Sequence, residues 1–414
     1  MEYEKIETVS KRWGISARRV QILCGEGKIP GAKRFGRAWM IPADAQKPAD
    51  GRTRGAKKSA VDSEEKPLPR KTPFLYMTNL YDTPGQADAG REKLKDHREA
   101  QMLFAAEVAY SRGEIDKVYE SADYLLSRHS GFYAVLSAGM LLALCAIWHG
   151  DLAMWRRAKL HIAEAKAKTD NDRDILTLCL TAVDCMLYDV TGFPEWFKIG
   201  CFEPLHPDSL PAAKVYYAKY LYASAYAVAT KEITVPGFDG GLTMMSLLPF
   251  AVEPMISQAV AERTLVAEIY LRMICAVMYR YSGNDARAIR HLDRAIALAL
   301  PDRLYGLLAE YYRTLGPLLE QRLDAADPEV WPRVRELYHV YNNGWSKLSG
   351  QVRGKTLITT LSIREREVAK LAAFGMSNNE IAQKMHMSLS GVKQAIRIVS
   401  EKTGAPRSEF AAFL

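Results

Sequence analysis

The sequence predicts a mainly α-helical protein with a small basic helical unit at each end and a long helical body between them. From about residue 90 to residue 350, apolar residues recur at three- and four-residue spacing, which is the period of amphipathic helices. Gly and Pro are not in excess, so most of the 414 residues are expected to be structured. This length exceeds one compact core and predicts roughly two to four domains.

Positive charge is concentrated at the two ends of the chain. Residues 1–71 hold 17 Lys/Arg against 9 Asp/Glu, and residues 361–414 hold 8 against 5, whereas residues 72–360 hold 31 against 34. Duplex DNA carries about one phosphate charge per 1.7 Å of its axis, so the basic ends are where a nucleic acid would bind. Charge alone equally allows termini that only keep the protein soluble.

The cysteines and the N-terminus indicate a reducing compartment. Six cysteines form no CxxC pair and lie mostly in apolar runs, which is typical of buried thiols and not of a disulfide framework. The charged N-terminus lacks the apolar stretch of a signal peptide. A cytoplasmic, nucleoid-associated protein is therefore expected.

One apolar run must be weighed against a membrane span. Residues 131–148 are 18 consecutive uncharged residues, which reaches the lower limit for crossing a bilayer. Gly and Ser lie within the run, charged residues follow it, and no comparable second span is expected. A buried helix of a helical body gives the same run and is the preferred interpretation, with a membrane-associated regulator kept as an alternative.

Residues 1–45 predict a compact basic unit. A helix over Val9–Trp13 breaks at Gly14, and Ser16 caps a second helix over Ala17–Gly25. A hairpin-like segment follows. The expected core consists of Val9, Trp13, Ile15, Val20, Leu23, Ile29, Trp39 and Ile41.

Basic and polar side chains of this unit are candidates for DNA contact. They are Ser16, Arg18, Arg19 and Gln21 on the second helix, and Lys33, Arg34 and Arg37 around Phe35–Gly36 at the hairpin. The unit resembles the excisionase and MerR-like winged-helix families over about 40 residues, which implies a winged helix-turn-helix. A basic wing with Gly at its tip suits phosphate or minor-groove contact. A protein-docking module is the alternative.

Residues 46–74 mix Pro, Gly, Lys, Ser and Glu and predict a flexible linker. Beyond it, residues 75–350 contain weak internal repeats in which a helix ends at Gly113, Gly150 or Gly283 and an amphipathic helix follows. After Gly283 come the small residues Ala288 and Ala295, with Pro301 closing the unit. This layout resembles the tetratricopeptide repeat, which implies an array of paired helices. A plain helical bundle shares the same period and stays open.

A repeat array offers a general binding surface, so the body is expected to bind a small ligand, a peptide or a protein of unknown class. Aromatic residues are candidates to line that surface, although a buried packing stripe is the preferred interpretation. These residues are Tyr216, Tyr217, Tyr220, Tyr222 and Tyr226.

The last residues of the chain carry the most specific pattern. Ser362 with Glu365, and Ser377 with Glu380, each form an S-x-x-E capping box ahead of an apolar-periodic run. The pattern predicts helices from Ile363 to Gly375, from after Ser377 to about Met385, from Ser388 to Lys402, and a short one over Arg407–Phe410. Two short helices joined by a three-residue turn have helix-turn-helix geometry, in which the later helix enters the major groove.

These residues closely resemble the LuxR-type DNA-binding domain over about the last 54 residues. The matching positions are Leu361, Glu365–Glu367, Gly375, Ser377, Glu380–Ala382 and Val392–Lys393. The resemblance implies a four-helix DNA-binding domain, placed here at residues 355–414. Gly391 and Ala395 depart from the residues usual in this recognition helix. These departures leave the particular base preference open but do not affect the expectation of DNA binding.

Side-chain chemistry assigns the candidate DNA contacts of this domain. Lys393, Gln394 and Arg397 are expected to project from the recognition helix, with Ser388 and Ser390 at its start and Asn378 and Asn379 near the DNA backbone. The core between the two helices is expected to hold Ile381, Ala382, Met385, Val392, Ile396 and Val399.

No catalytic arrangement is recognisable, and the eight His residues lack metal-ligand spacing. We therefore expect no enzyme activity, no cofactor and no metal. The sequence predicts a transcriptional regulator that binds double-stranded DNA, as a homodimer if it reads paired half-sites, with a sensing body in the middle. A helical-repeat scaffold whose terminal units bind proteins is the alternative.

Overall fold

The computed structural model is mainly helical, as the sequence predicts, and forms two compact units, residues 1–64 and residues 65–414. The residues that the structure describes are 3–25, 28–35, 38–48, 68–128, 130–229, 241–353, 361, 363–403 and 405–413.

In its described residues, the N-terminal unit, residues 1–64, contains two helices and a small antiparallel sheet. Its elements are β1 (Tyr3–Lys5), α1 (Ile6–Trp13), α2 (Ala17–Gly25), β2 (Lys33–Phe35) and β3 (Ala38–Pro42). Strand β3 lies between β1 and β2, with Glu4 opposite Ile41 and Arg34 opposite Trp39. The sequence pattern missed β1, because three residues with two charges carry no periodic signal.

A small core holds this unit together. Six of the eight predicted core residues are buried, Ile15 and Trp39 are partly buried against them, and Cys24 joins the set. Gly14 takes φ +65° between α1 and α2, a left-handed conformation that glycine adopts at little cost. Arg12 of α1 donates a hydrogen bond to the carbonyl oxygen of Ala43 and forms an ion pair with Glu4 at 3.1 Å.

The helical body comprises residues 68–353. Its helices are α3 (Ala87–Glu92), α4 (Arg98–Arg112), α5 (Ile115–Leu126), α6 (Phe132–His149), α7 (Leu152–Ala163), α8 (Asp170–Met186), α9 (Glu195–Lys198), α10 (Leu210–Ala229), α11 (Gly241–Ala261), α12 (Leu265–Tyr281), α13 (Asp285–Ala299), α14 (Tyr305–Leu315), α15 (Pro317–Ala326) and α16 (Val330–Arg353).

Helix pairs form where the repeats are expected. Gly113, Gly150 and Gly283 all have positive φ and separate α4 from α5, α6 from α7 and α12 from α13. Ala288 and Ala295 are fully buried on α13, as close packing of a helix pair requires. The assignment of these pairs to the tetratricopeptide family stays a prediction.

Distant parts of the body also pack on each other. A Cβ on Gly306 of α14 would lie 2.6 Å from the backbone nitrogen of Gly113, and a Cβ on Gly344 of α16 would lie 2.2 Å from the carbonyl oxygens of Ile147 and Trp148. Helix α14 thus crosses the end of α4, and α16 crosses α6, at backbone contact distance. A simple open array has contacts between neighbouring repeats alone. The body instead has direct contacts between helices that are far apart in the sequence.

Within the part of the chain that the structure describes, two helices are long and apolar enough to cross a membrane by length and composition, namely Phe132–His149 and Met244–Ala261. The first is mostly buried inside the body, which agrees with the preferred interpretation of residues 131–148. The expectation that no second comparable span exists is wrong. Met244–Ala261 escaped notice because charged Glu253 and two prolines interrupt its apolar run.

The first residues of the body include part of the predicted linker. Thr72 and Phe74 are buried, and the Asp208 carboxylate accepts a hydrogen bond from the backbone N–H of Lys71 at 2.9 Å. The buried Glu107 carboxylate accepts from the next backbone N–H groups, those of Leu75 and Tyr76. Residues 49–67 lie outside the described residues.

Residues 361–413, the C-terminal head, form three helices and a final 3-10 turn. These are α17 (Ile363–Ala373), α18 (Asn378–Lys384), α19 (Leu389–Thr403) and the turn Arg407–Phe413. The helices agree with the predicted ones to within two residues. Ser362, which was expected to cap α17, lies outside the described residues.

Candidate nucleic-acid interface

Local hydrogen bonds fix the starts of α18 and α19. The Ser377 hydroxyl accepts from the backbone N–H of Glu380 at 3.3 Å, and the Glu380 carboxylate accepts from that of Ser377 at 2.6 Å, so the predicted capping box is present. His386 takes φ +50° and turns the chain sharply between the helices. The Ser388 hydroxyl then accepts from the backbone N–H of Gly391 at 3.1 Å and starts α19.

The predicted core between these helices is largely as expected. Ile381, Val392 and Val399 are fully buried, whereas the other three predicted members are partly buried. Ala395 is also buried, so the small residue at this departure from the family pattern lies on the inner face of α19. At Gly391 a Cβ would lie 3.2 Å from the Ser388 hydroxyl, so a side chain there would crowd the hydroxyl that caps α19.

The outer face of α19 presents an accessible polar surface. Ser388, Ser390, Lys393, Gln394 and Arg397 are all exposed. The guanidinium of Arg397 lies 3.5 Å from the carboxylate of Glu401, and both side chains are more than half exposed, so this pair costs little to break. The face combines cations, an amide and hydroxyls, which are the groups that bind phosphates and base edges in a major groove.

The two candidate asparagines, Asn378 and Asn379, differ in how far their side chains are exposed. Asn379 is exposed, but Asn378 is partly buried and its side-chain oxygen accepts a hydrogen bond from Arg407. Arg407 also donates to the carbonyl of Met376. Asn378 therefore links the final turn to the start of α18, which the sequence pattern could not show because 29 residues separate the partners.

The candidates of the N-terminal unit also lie on its surface. Arg18 and Gln21 are exposed on α2, and the Ser16 hydroxyl accepts from the backbone N–H of Arg19 at 3.3 Å. Lys33 and Arg34 are exposed on β2, beside Phe35. Arg37 lies outside the described residues.

Phe35 is a feature of this hairpin that the sequence pattern did not single out. Its side chain is 71% exposed although phenylalanine is normally buried. The ring lies directly after two cations, at the end of a short strand. Apolar side chains in such positions can insert between base steps or stack on bases.

The helix-turn-helix geometry, the capped entry to α19 and its exposed polar face define a DNA-binding module. Residues 359–408 match the model of the luxR family of bacterial regulatory proteins, named GerE. The chain thus carries a LuxR-type helix-turn-helix domain at its C-terminal end, and the match supports a DNA-binding transcriptional regulator. No curated protein and no solved structure matches the chain.

The first helix of the C-terminal head packs into the body, which the sequence pattern did not predict. The buried Glu367 carboxylate lies 3.2 Å from the guanidinium of Arg280 on α12, and both side chains are less than a tenth exposed. Lys370 donates to the carbonyl oxygen of Arg313 on α14. Phe374 stacks on Tyr281 with ring centroids 4.8 Å apart. We refer to these contacts as the junction.

The junction holds more positive than negative charge. Arg280, Arg313, Arg366 and Lys370 are all buried there beside Glu367. Burial lowers the pKa of Lys370 to about 7, with Glu367 opposing the shift and the three arginines adding to it. A buried cluster of this kind is costly to form, since each ion loses its hydration.

Three possible metal ligands also meet in the body. One ligand atom from each of Glu253, Cys275 and His291 lies within 4.8 Å of the others. They belong to α11, α12 and α13, so sequence spacing could not group them. Three arginines share the same pocket, namely Arg272, Arg287 and Arg290. Burial and the charge of Arg272 lower the pKa of His291, and this positive surrounding opposes a divalent cation.

The six cysteines are free, and five of them are buried. Burial raises the pKa of Cys145, Cys185 and Cys275 to about 12. Thiols of this kind are poor nucleophiles because they stay protonated.

Proposed function

We propose that this protein is a transcriptional regulator whose helix α19 enters the major groove of an operator. The observation that carries this proposal is the exposed face formed by Ser390, Lys393, Gln394 and Arg397 on a capped, well-packed helix. Lys393 and Arg397 supply charge and hydrogen-bond donors for guanine edges and phosphates, and Gln394 supplies a paired donor and acceptor for adenine. The serines at the helix start suit phosphate oxygens.

The N-terminal unit is proposed as a second DNA contact, with α2 and the β2–β3 hairpin as a winged helix-turn-helix. Exposed Arg18, Gln21, Lys33 and Arg34 support this role. One small module binds nonspecifically at only about 10⁻⁴ to 10⁻⁶ M. Tethering two modules makes the second contact intramolecular and raises the overall affinity.

The body is proposed to receive the signal, from a small ligand or from a protein partner. Its junction with the C-terminal head supports this role, because contacts made at the body can change the head. We assign the protein to the cytoplasm, bound to the nucleoid, without catalytic activity. Self-association on paired half-sites would multiply its DNA contacts.

The recognition helix is tested by Lys393→Ala and Arg397→Ala in the full-length protein. Each change should weaken binding to the operator by about 1–3 kcal/mol, because the shortened side chain no longer reaches the groove. The melting temperature should stay unchanged, since both side chains are exposed. The operator would come from a genome-wide binding map, and binding is measured by fluorescence anisotropy.

Arg364→Ala is the matched control, because it removes an exposed cation from α17 of the same head. It should change specific binding much less than the α19 variants. Unchanged operator binding in both α19 variants would show that α19 is not the recognition helix. A general loss of equal size in all three would indicate nonspecific electrostatic attraction.

The second contact is tested by removing residues 1–45, which belong to a unit with its own core. Affinity should fall, and the slope of log K against log salt should become shallower by about 0.9 for each phosphate that is no longer neutralised. If both quantities stay the same, the N-terminal unit is a protein-docking module, as in the scaffold alternative.

A further inference from the structure

A cavity of about 70 Å³ lies in the interior of the helical body, with side chains from seven of its helices in the wall. Space of this size accommodates several water molecules, or a small organic molecule of about three to five non-hydrogen atoms. Eight tyrosines and Trp345 line it, together with apolar residues such as Ile147 and Ile274. Ligand sites typically have such apolar and aromatic walls with a few convergent polar groups.

Two opposite charges face each other in this cavity. The ammonium of Lys219 lies 3.8 Å from the carboxylate of Glu310, and their side chains are 19% and 8% exposed. Glu310 also accepts hydrogen bonds from the hydroxyls of Tyr110 at 2.5 Å and Tyr270 at 3.4 Å. The carboxylate is therefore well satisfied by the protein itself.

Two tyrosine rings of the cavity, which could form a cage for a cation, already hold the ammonium group of Lys219. Lys219 places its ammonium 4.7 Å from the ring centroid of Tyr270 and 5.6 Å from that of Tyr216. An aromatic cage with a carboxylate would otherwise suit a cationic ligand. Here an amine would have to displace Lys219 from both rings and from Glu310.

Unused hydrogen-bonding capacity points to a different ligand. The hydroxyl of Tyr311 is buried at the cavity and has no hydrogen-bond partner among the described residues. A buried hydroxyl without a partner costs free energy, so its presence needs an explanation. The charged residues of the wall are Lys219, Arg313 and Glu310, two cations against one carboxylate. The wall therefore carries an excess of positive charge. The Tyr311 hydroxyl and the cationic side chains of the wall can also donate hydrogen bonds to a bound ligand.

We propose that the cavity binds a small organic monocarboxylate, with its carboxylate at the Tyr311 hydroxyl and its apolar part against the tyrosine rings. The negative charge balances the positive excess of the wall, and the hydroxyl of Tyr311 gains an acceptor. The proposal deepens the sensing role proposed above, and its DNA readout rests on that role.

The wall of the cavity is continuous with the junction. Arg313 stacks on Trp345 inside the cavity, with the guanidinium carbon 3.8 Å from the ring centroid, while its carbonyl oxygen accepts from Lys370 of the C-terminal head. A second connection between the cavity and the C-terminal head is made by aromatic rings. The ring centroids of Tyr222 and Tyr281 lie 6.4 Å apart, and Tyr281 stacks on Phe374. A carboxylate that draws on Arg313 or moves Tyr222 therefore acts on a direct neighbour of the head.

Ligand class is tested on the full-length protein with formate, acetate and propionate, and with acetamide and ethylamine as the neutral and cationic matches of acetate. At least one carboxylate should raise the melting temperature in a saturable manner, as a ligand of the native state does. Acetamide and ethylamine should have much smaller effects. Stabilisation by ethylamine alone, or by none of the five compounds, would overturn the proposal, and the second outcome would indicate that water alone fills the cavity.

The site is tested with Tyr311→Phe, which removes a hydroxyl that makes no hydrogen bond in the protein and should leave the melting temperature unchanged or slightly higher. Affinity for the active carboxylate should fall about tenfold. Tyr281→Phe is the matched control, because its hydroxyl is equally buried and unpartnered among the described residues but does not line the cavity. Equal affinities in wild type and Tyr311→Phe would place the ligand elsewhere.

Coupling is read separately from binding. Saturating carboxylate should change operator affinity by about 5- to 150-fold, the range of ordinary allosteric coupling, in wild type but not in Tyr311→Phe at the same concentration. Failure of the carboxylates with intact operator binding defeats this inference alone. Failure of the α19 variants to change operator binding defeats the proposed function, while the thermal shift still reports on the cavity.

Discussion

The two ends of the chain are both basic, but they place their cations in opposite environments. In the N-terminal unit, the candidate cations Arg18, Lys33 and Arg34 are exposed around a small apolar core. In the C-terminal head, exposed cations on α19 are matched by a second set that is buried, including Arg366 and Lys370 at the junction. Net charge therefore does not distinguish a surface that binds DNA from an interior that connects two parts of a protein.

The difference has an energetic meaning. Exposed cations keep their hydration and are available to phosphates, whereas buried cations have lost it and depend on the few partners that they contact. The N-terminal unit is thus expected to respond to salt, and the junction to removal of a partner or to pH. Three experiments sharpen this contrast.

The largest effect is expected at the Arg280–Glu367 ion pair. Arg280→Leu leaves the Glu367 carboxylate without its closest buried cation and should lower the free energy of unfolding by about 3–5 kcal/mol. The double variant Arg280→Leu/Glu367→Leu should recover much of this loss, since neither charge is then left unpaired. Equilibrium denaturation of the full-length protein measures both.

Arg333→Leu is the control for this experiment, because the ion pair of Arg333 with Glu336 is exposed on both sides. Its removal should cost about 0–1 kcal/mol. If Arg280→Leu is equally mild, the junction does not form a buried ion pair in solution, and the contrast between the two ends disappears.

An intermediate effect is expected from Lys370 when the pH changes. Its pKa of about 7 in the folded protein lies below the usual lysine value of about 10.4, so unfolding takes up a proton between these values. Stability from this group is therefore greatest at high pH and is lost as the pH falls toward 7. The groups that face it are Glu367, Arg280, Arg313 and Arg366.

The test compares the pH dependence of unfolding in wild type and Lys370→Met between pH 7 and pH 9. The slope should be smaller in the variant, because methionine keeps most of the side-chain volume but does not titrate. Identical slopes in the two proteins would mean that Lys370 is charged and solvated in the folded state. Lys384 has its pKa lowered to about 8 by burial and contributes with the same sign in both proteins.

The smallest effect is expected at the N-terminal hairpin. Lys33→Ala/Arg34→Ala should weaken DNA binding severalfold and reduce the salt slope by about 0.9 for each phosphate left without its cation, while the melting temperature stays the same. Phe35→Ala should weaken binding without changing the salt slope, because the ring carries no charge. Lys11→Ala, an exposed cation on α1, is the control. No change in any of the hairpin variants would favour protein docking by this unit.

Local patterns predicted local structure well. The Ser377–Glu380 box and the glycines at 113, 150 and 283 located helix ends, because capping and left-handed glycine depend on a few adjacent residues. The exposed face of α19 followed from helical periodicity in the same way. Of the tyrosine stripe, Tyr216, Tyr222 and Tyr226 are buried as preferred, and the first two also line the cavity.

Contacts between distant residues could not be predicted. Arg280 and Glu367 are far apart in the chain, and neither position differs in pattern from an ordinary charged residue of an amphipathic helix. The cavity depends on seven helices whose mutual packing is set by crossings such as that of Gly306 with Gly113. Only the three-dimensional arrangement shows that Tyr311 combines an unpartnered hydroxyl with a place in the cavity wall.

The crossing of α16 over α6 at Gly344 has a consequence for what this position tolerates. A Cβ there would lie 2.2 Å from the carbonyl oxygens of Ile147 and Trp148, so any side chain at position 344 must separate the two helices. Trp345, the next residue of α16, lines the cavity. Enlarging residue 344 would therefore displace part of the cavity wall, although Gly344 itself does not line it.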